Sequence, residues 1–143
     1  EIVLERSLPG LLSGTARLVP QELAAGSYFG GRRPEDGAVD PAWPASRIHN
    51  LVRAVAPPYP GAFCQSAGKM LRLLRTFNTG ERVAITGHPA LLARGSELHL
   101  RCADGGVLRV LEAEFDGLPF NADVMRARYR TDLLALKNET TSL

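Results

Sequence analysis

At 143 residues with 45% apolar and 22% charged positions, the chain has enough apolar surface for one core and too little for two independent ones. Its net charge of +2 does not by itself call for a nucleic-acid partner; fifteen of the seventeen basic residues are arginine, which suits phosphate or carboxylate recognition and equally reflects genomic base composition. Cys64 and Cys102 lie far apart without CxxC or Cys/His spacing, which argues against a zinc site or a structural disulfide and predicts two buried free thiols in a cytoplasmic protein.

No apolar run approaches the ~20 residues that span a bilayer, and no basic-then-apolar leader is present. The chain starts at Glu1, inside what reads as a helix, so it is expected to be a fragment of a longer protein. In that first stretch Ile2, Val3, Leu4, Leu8, Leu11 and Leu12 share one helical face, and Gly14 supplies a stop. Pro9 falls inside it and predicts a kink or a second short helix. From Thr15 to Asp40 no period is sustained, which reads as a linker or long loop. Within it, Arg32-Arg33-Pro34-Glu35-Asp36-Gly37 is a turn with charges at its base, Asp36-Gly37 giving the turn chemistry.

Ser46 is expected to cap a helix of about three turns in which Ile48, Leu51, Val52 and Val55 form the apolar stripe and Pro57-Pro58 the stop. His49, Asn50 and Arg53 then lie off that stripe, and Trp43, just before the helix, wedges it against the remainder of the fold. Beyond Gly61 the texture changes to five β-like runs: Ala62 to Gln65, Lys69 to Phe77, Arg82 to Thr86, Glu97 to Cys102, and Val107 to Phe115. In the fourth, Leu98, Leu100 and Cys102 alternate with Glu97, His99 and Arg101, which places His99 on the solvent face. In the fifth, Leu108 and Val110 share one parity and Leu111, Ala113 and Phe115 the other, so a bulge is expected near Val110 to Leu111. Asp104-Gly105-Gly106 reads as a hairpin turn. Asn121 is expected to cap a helix to about Leu136, with Arg126, Arg128 and Arg130 solvated around it and a polar tail from Asn138 to Ser142. The fold class is therefore mainly β with flanking helices, a small five-stranded barrel.

Catalytic patterns are weak. No nucleophile with a base and no paired carboxylates on one face appear; His49 reads as a capping or surface group, and His88 and His99 as structural. Arg32 and Arg33, beside Tyr28 and Phe29, suit an anionic ligand on an aromatic floor, since guanidinium forks bind phosphate bidentately. They equally suit pairing with Glu35 and Asp36 to pin the loop.

The run Tyr28 to Gly37, then Ile48-His49-Asn50-Leu51-Val52-Arg53-Ala54-Val55-Ala56-Pro57-Pro58 and Pro60-Gly61-Ala62-Phe63, resembles the formyltetrahydrofolate-dependent formyltransferases, over about Leu8 to Phe115. It is most similar to the amino-sugar branch, which acts on UDP-4-amino-4-deoxy-L-arabinose; methionyl-tRNA formyltransferase is the related branch. The resemblance implies a Rossmann-like N-terminal catalytic domain, absent here, then a linker and a barrel resembling the oligonucleotide-binding fold. The division implied is 1–40 for the end of the catalytic-domain helix and the linker, 41–120 for the barrel, and 121–143 for a terminal helix and tail. The family's catalytic Asn, His and Asp motifs do not occur in this chain, so 10-formyltetrahydrofolate and the chemistry belong to the missing domain. What the resemblance leaves here is a role at the acceptor end of the cleft for Tyr28, Arg32, Arg33 and Asp36. The acceptor is then a nucleotide-linked amino sugar or, alternatively, a tRNA held by the barrel; a standalone binding module is the third reading.

Overall fold

The computed structural model describes residues 2–28, 30–31, 33–66, 68–85 and 87–136. They fall into two units, residues 1–31 and 32–143.

The first unit holds α1 (Ile2–Leu12) and a single 3-10 turn at Leu23–Ala25. Of the two outcomes expected at Pro9, a kink or a second short helix, the division does not occur: one helix runs through it. Proline at this position forfeits one backbone bond in the last turn. The Pro9 carbonyl still accepts from Ser13 N–H at 3.0 Å before Gly14 turns the chain at φ 70°. None of the α1 residues is buried.

The second unit is a curled antiparallel sheet with helices against it. It contains α2 (Ala45–Ala54), β1 (Ala62–Ser66), β2 (Lys69–Arg82), β3 (Ala90–Arg94), β4 (Glu97–Arg101), β5 (Gly106–Phe115), β6 (Leu118–Pro119), α3 (Ala122–Tyr129) and β7 (Leu133–Ala135). The strands are ordered β1-β2-β5-β4-β3-β7, with β6 paired to β5. The two end strands meet where the buried Ser66 hydroxyl donates to the Ala135 carbonyl at 3.2 Å, which gives the sheet its barrel-like form. At the β1 end, a parallel bridge from Ala38 covers the edge at Phe63.

Inside the curl, Ile48 and Val52 of α2 pack with Leu71, Leu73, Leu100, Leu108 and Phe115, each at most 1% exposed. Phe120 and Tyr129 close the end of the core on Phe115, with ring centroids 5.1 and 5.6 Å away. Burying side chains of this size is worth roughly 1.5–3 kcal/mol each, so the α2 stripe and the inner sheet face fix each other. Cys64 and Cys102 are free and buried in this core, and burial pushes both thiols up to about 12, with Asp104 adding to the effect at Cys102. No helix among the described residues is long and apolar enough to cross a membrane.

Among the described residues seven strands stand where five were expected. The separate strand expected at Arg82 to Thr86 is not seen among the described residues: Arg82 belongs to β2, residues 83–85 are in no strand, and Thr86 lies outside the described residues. Instead β2 runs on to Arg82, and the next strand is Ala90–Arg94. Ala-Leu-Leu-Ala-Arg has the composition of a helix, but pairing with β4 on one side and β7 on the other overrides that preference. β7 in turn comes from a segment expected to be helical. α3 stops at Tyr129 because Arg130 turns left-handed, at φ 50°, and Leu133–Ala135 then zips onto β3. Arg126, expected in solvent, instead bonds the Asp132 carboxylate and the Gly95 carbonyl, both at 2.6 Å, and clips α3 to the β3–β4 turn. Asn121 caps α3 as expected, its side chain accepting from Val124 N–H at 2.9 Å. The expected tail from Asn138 to Ser142 lies outside the described residues.

The bulge in β5 is where parity placed it. Thr76 pairs with Val110 and Arg75 with Glu112, so Leu111 is the extra residue, and Leu111 and Glu112 both face outward. The β4–β5 turn at Asp104 to Gly106 does more than reverse the chain. Ser46 does not cap α2; the Asp104 carboxylate accepts from Ala45 N–H at 3.1 Å, at the start of the helix, and also from Gly106 N–H. Arg82 braces the same carboxylate at 3.3 Å. A side chain on Gly106 would come within 2.6 Å of the Ala45 Cβ, so glycine is what lets the turn press against the helix.

Candidate functional site

Two loops of the second unit form a cleft of about 160 Å3. The first follows Arg33, which is extended (φ −106°, ψ 157°), and winds Pro34–Gly37 into a 3-10 turn. The Asp36 carboxylate accepts from the Arg33 backbone N–H at 2.8 Å, and Asp36 N–H donates back to the Arg33 carbonyl at 3.0 Å. This reciprocal pair uses the carboxylate to hold backbone, the job of a helix cap, and pins the turn. Val39 N–H then fastens the loop to β1 through the Phe63 carbonyl at 2.7 Å.

The second loop is the exit from α2. Tyr59 N–H donates to the Ala56 carbonyl at 3.2 Å and Gly61 N–H to the Val55 carbonyl at 3.0 Å, so the proline-rich segment folds back on the helix end. The two loops touch at their glycines: a Cβ on Gly37 would stand 2.7 Å from the Gly61 carbonyl oxygen. The cleft between them has walls of Arg33, Pro34, Val55, Tyr59 and Pro60. Tyr59 is 54% exposed. Among the described residues the Arg33 guanidinium has no ion pair; neither Glu35 nor Asp36 takes it.

Of the four acceptor-side residues named from sequence, Arg33 and Asp36 are thus brought together, Asp36 as the pin and Arg33 as a cleft wall. Tyr28 belongs to the first unit and is 94% exposed. Arg32 lies outside the described residues. Tyr59 was missed as a site residue. Its signal was the proline-rich exit after α2, a short stiff segment carrying a single aromatic.

His49 and His99 are bound into the scaffold. His49 reaches from α2 to β2, its Nδ1 2.9 Å from the Thr76 hydroxyl; burial, then the nearby Arg53, hold its pKa below the ordinary value. His99 does not sit on an open solvent face; it is buried, at 7% exposure. Its strand parity is outward as the alternation required, but the outer face there is roofed by charge. Glu81 pairs with Arg94 at 2.8 Å and Glu97 with Arg109 at 3.1 Å, all four acting on its imidazole. Glu81 lies in the stretch of β2 where the register with β5 slips, between Asn78 and Arg82. Glu97 lies 3.5 Å from Nε2, while Nδ1 has no hydrogen-bond partner among the described residues, and burial followed by Arg94 lowers the pKa.

Elsewhere on the sheet Arg72 faces Glu114 at 3.8 Å and Lys69 faces Asp116 at 3.1 Å, so these outward cations are largely matched by acids. Trp43 packs against the core as expected, and Arg47 stacks on its ring at 3.8 Å. Among the described residues no three His, Cys, Asp or Glu side chains are grouped to hold a metal ion. Both cleft loops, α2, the sheet through β6 and the start of α3 fall within residues 32–125, which match the family described as formyl transferase, C-terminal domain.

Proposed function

The chain belongs to the formyl transferase C-terminal domain family, and on that premise we propose that it is the acceptor-side domain of an enzyme that moves a formyl group from 10-formyltetrahydrofolate to the amine of a nucleotide-linked amino sugar. In this reading the barrel is a relative of the oligonucleotide-binding fold, residues 1–40 carry the end of a catalytic-domain helix and the linker, and the protein works in the cytoplasm. A Rossmann-like catalytic domain binds the folate and supplies the Asn, His and Asp that polarise the formyl carbonyl and manage the amine proton. This chain contributes binding and orientation, with Arg33 on the acceptor side and Asp36 fixing the turn that carries it. Tyr28 and Arg32 are assigned to the same acceptor rim on the resemblance of their motif.

The observation that carries the proposal is the Arg33 guanidinium, which has no ion pair among the described residues and lines a preformed cleft. The acid beside it is already committed to backbone, so the cation is available to an anionic acceptor. The matched charges of the sheet favour the sugar over tRNA, because phosphate-tracking surfaces need an excess of free cations. In a full-length formyltransferase containing this chain, Arg33→Ala should raise KM for the acceptor about tenfold or more, the loss of one charge-assisted bond, and leave folate affinity nearly unchanged. Equal losses for both substrates overturn the assignment, and acceptor binding that falls steeply with salt returns the tRNA reading.

A further inference from the structure

The cleft between residues 33–37 and 55–61 is shaped for one component of an acceptor. At about 160 Å3 it is well below the ~300 Å3 at which sites for whole drug-sized ligands begin, so it takes a single ring with the rest of the ligand outside. Its walls are a half-exposed tyrosine, two prolines and a valine, and its one charged wall is the unpaired Arg33. An aromatic face beside a free guanidinium is the pairing that stacks a planar heterocycle while holding an anion attached to it. The shape is preset: the loops meet where Gly37 approaches the Gly61 carbonyl, and the Asp36 pin on one side and the Gly61-to-Val55 bond on the other fix each wall without a ligand.

We infer that this cleft is a nucleoside-phosphate subsite, with the base stacked on Tyr59 and the phosphate held by Arg33. The inference deepens the acceptor-side proposal and rests on it for the source of the nucleotide. Two sources share the chemistry, the nucleoside diphosphate of an activated sugar and the terminal nucleotide of an RNA.

The test is an NMR titration of the 143-residue chain with uridine diphosphate, adenosine monophosphate and inorganic phosphate as separate probes. The expected result is an upfield shift of the Tyr59 ring protons and movement of Arg33 Nε with the nucleotides. Tyr59→Ala and Arg33→Ala should each weaken binding about tenfold, and Tyr59→Phe should retain it, since stacking needs the ring and not the hydroxyl. Both side chains are exposed, and unchanged amide shifts along α2 and β5 establish that the variants fold. A preference for uridine diphosphate assigns the source to a sugar nucleotide, and a preference for adenosine monophosphate assigns it to RNA; both outcomes support the subsite. Nucleotides that leave Tyr59 unmoved at millimolar concentration, or inorganic phosphate that binds as well as they do, overturn it. The two proposals fail separately. A raised acceptor KM for Tyr59→Ala in the full-length enzyme without nucleotide binding to the chain overturns the subsite and keeps the acceptor-side role. Nucleotide binding that depends on Tyr59, with an unmoved acceptor KM, supports the subsite and removes that role.

Discussion

The cleft and the outer face of β4 use the same materials to opposite ends. Each sets arginine beside carboxylate. In the cleft the Asp36 carboxylate is taken by the Arg33 backbone N–H, and the guanidinium is left over. On the outer face the carboxylates of Glu81 and Glu97 take the guanidiniums of Arg94 and Arg109 directly, and the product is a roof over His99. What an arginine does here is decided by which group first satisfies the neighbouring acid. A carboxylate spent on backbone makes a rigid loop with a free cation, whereas one spent on a side chain makes a neutral surface.

Both regions hang on one core, and the strongest way to break the comparison is to remove that support. Phe115→Ala should cost about 3–5 kcal/mol in urea unfolding, because a fully buried ring leaves a cavity against Phe120 and Tyr129. Cleft and roof should then lose amide protection together; separate losses would mean that they belong to different cooperative units.

A smaller change separates them. Asp36→Ala removes the pin and should cost about 1 kcal/mol, the usual value of a lost cap, with amide shifts confined to residues 33–39 and His99 undisturbed. A gain in stability would show that the carboxylate is there for a ligand and not for the turn.

The smallest effect belongs to the roof and is seen through pH. His99 and His49 both have pKa values lowered from 6.5 in the folded protein, first by burial and then by arginine. Below pH 6.5 the unfolded chain therefore binds more protons than the folded one. Their contribution to stability is complete above pH 6.5 and is lost as pH falls toward the lowered folded values. His99→Gln should flatten the decline in Tm between pH 6.5 and 5 and leave the part due to His49. An unchanged slope would show that the roof opens without resistance when the imidazole is protonated.

The contrast between the two regions also measures how much of the molecule was legible. The α2 stripe, the β5 bulge, the Asp104 turn and the Asn121 cap were all readable, since each follows from a local period or a local bond. The strand at Ala90–Arg94 was not, because five residues with helical composition become a strand only when β4 and β7 offer them pairing on both sides. Nor was the burial of His99, whose parity was read as outward and whose roof adds Glu81 of β2 and Arg109 of β5, brought in by sheet pairing, to Arg94 and Glu97 close by in the chain. In the candidate site the charged turn at Arg33 to Asp36 was visible, but its other wall was not. Tyr59 enters only because the α2 exit folds back to the first loop.

By itself the sequence determined a mostly β domain with an apolar-faced helix at α2, the Asp104 turn, the Asn121 cap, and the motif that carries the family. Those are properties of neighbours along the chain, where spacing and residue type act directly. Only the tertiary structure decided that Asp104 rather than Ser46 receives the start of α2, that β1 and β7 meet at Ser66, and that among the described residues Arg33 has no ion pair while Arg94 and Arg109 do. Charges and hydrogen-bond donors take the nearest acceptor in space, and which acceptor that is depends on how the sheet curls.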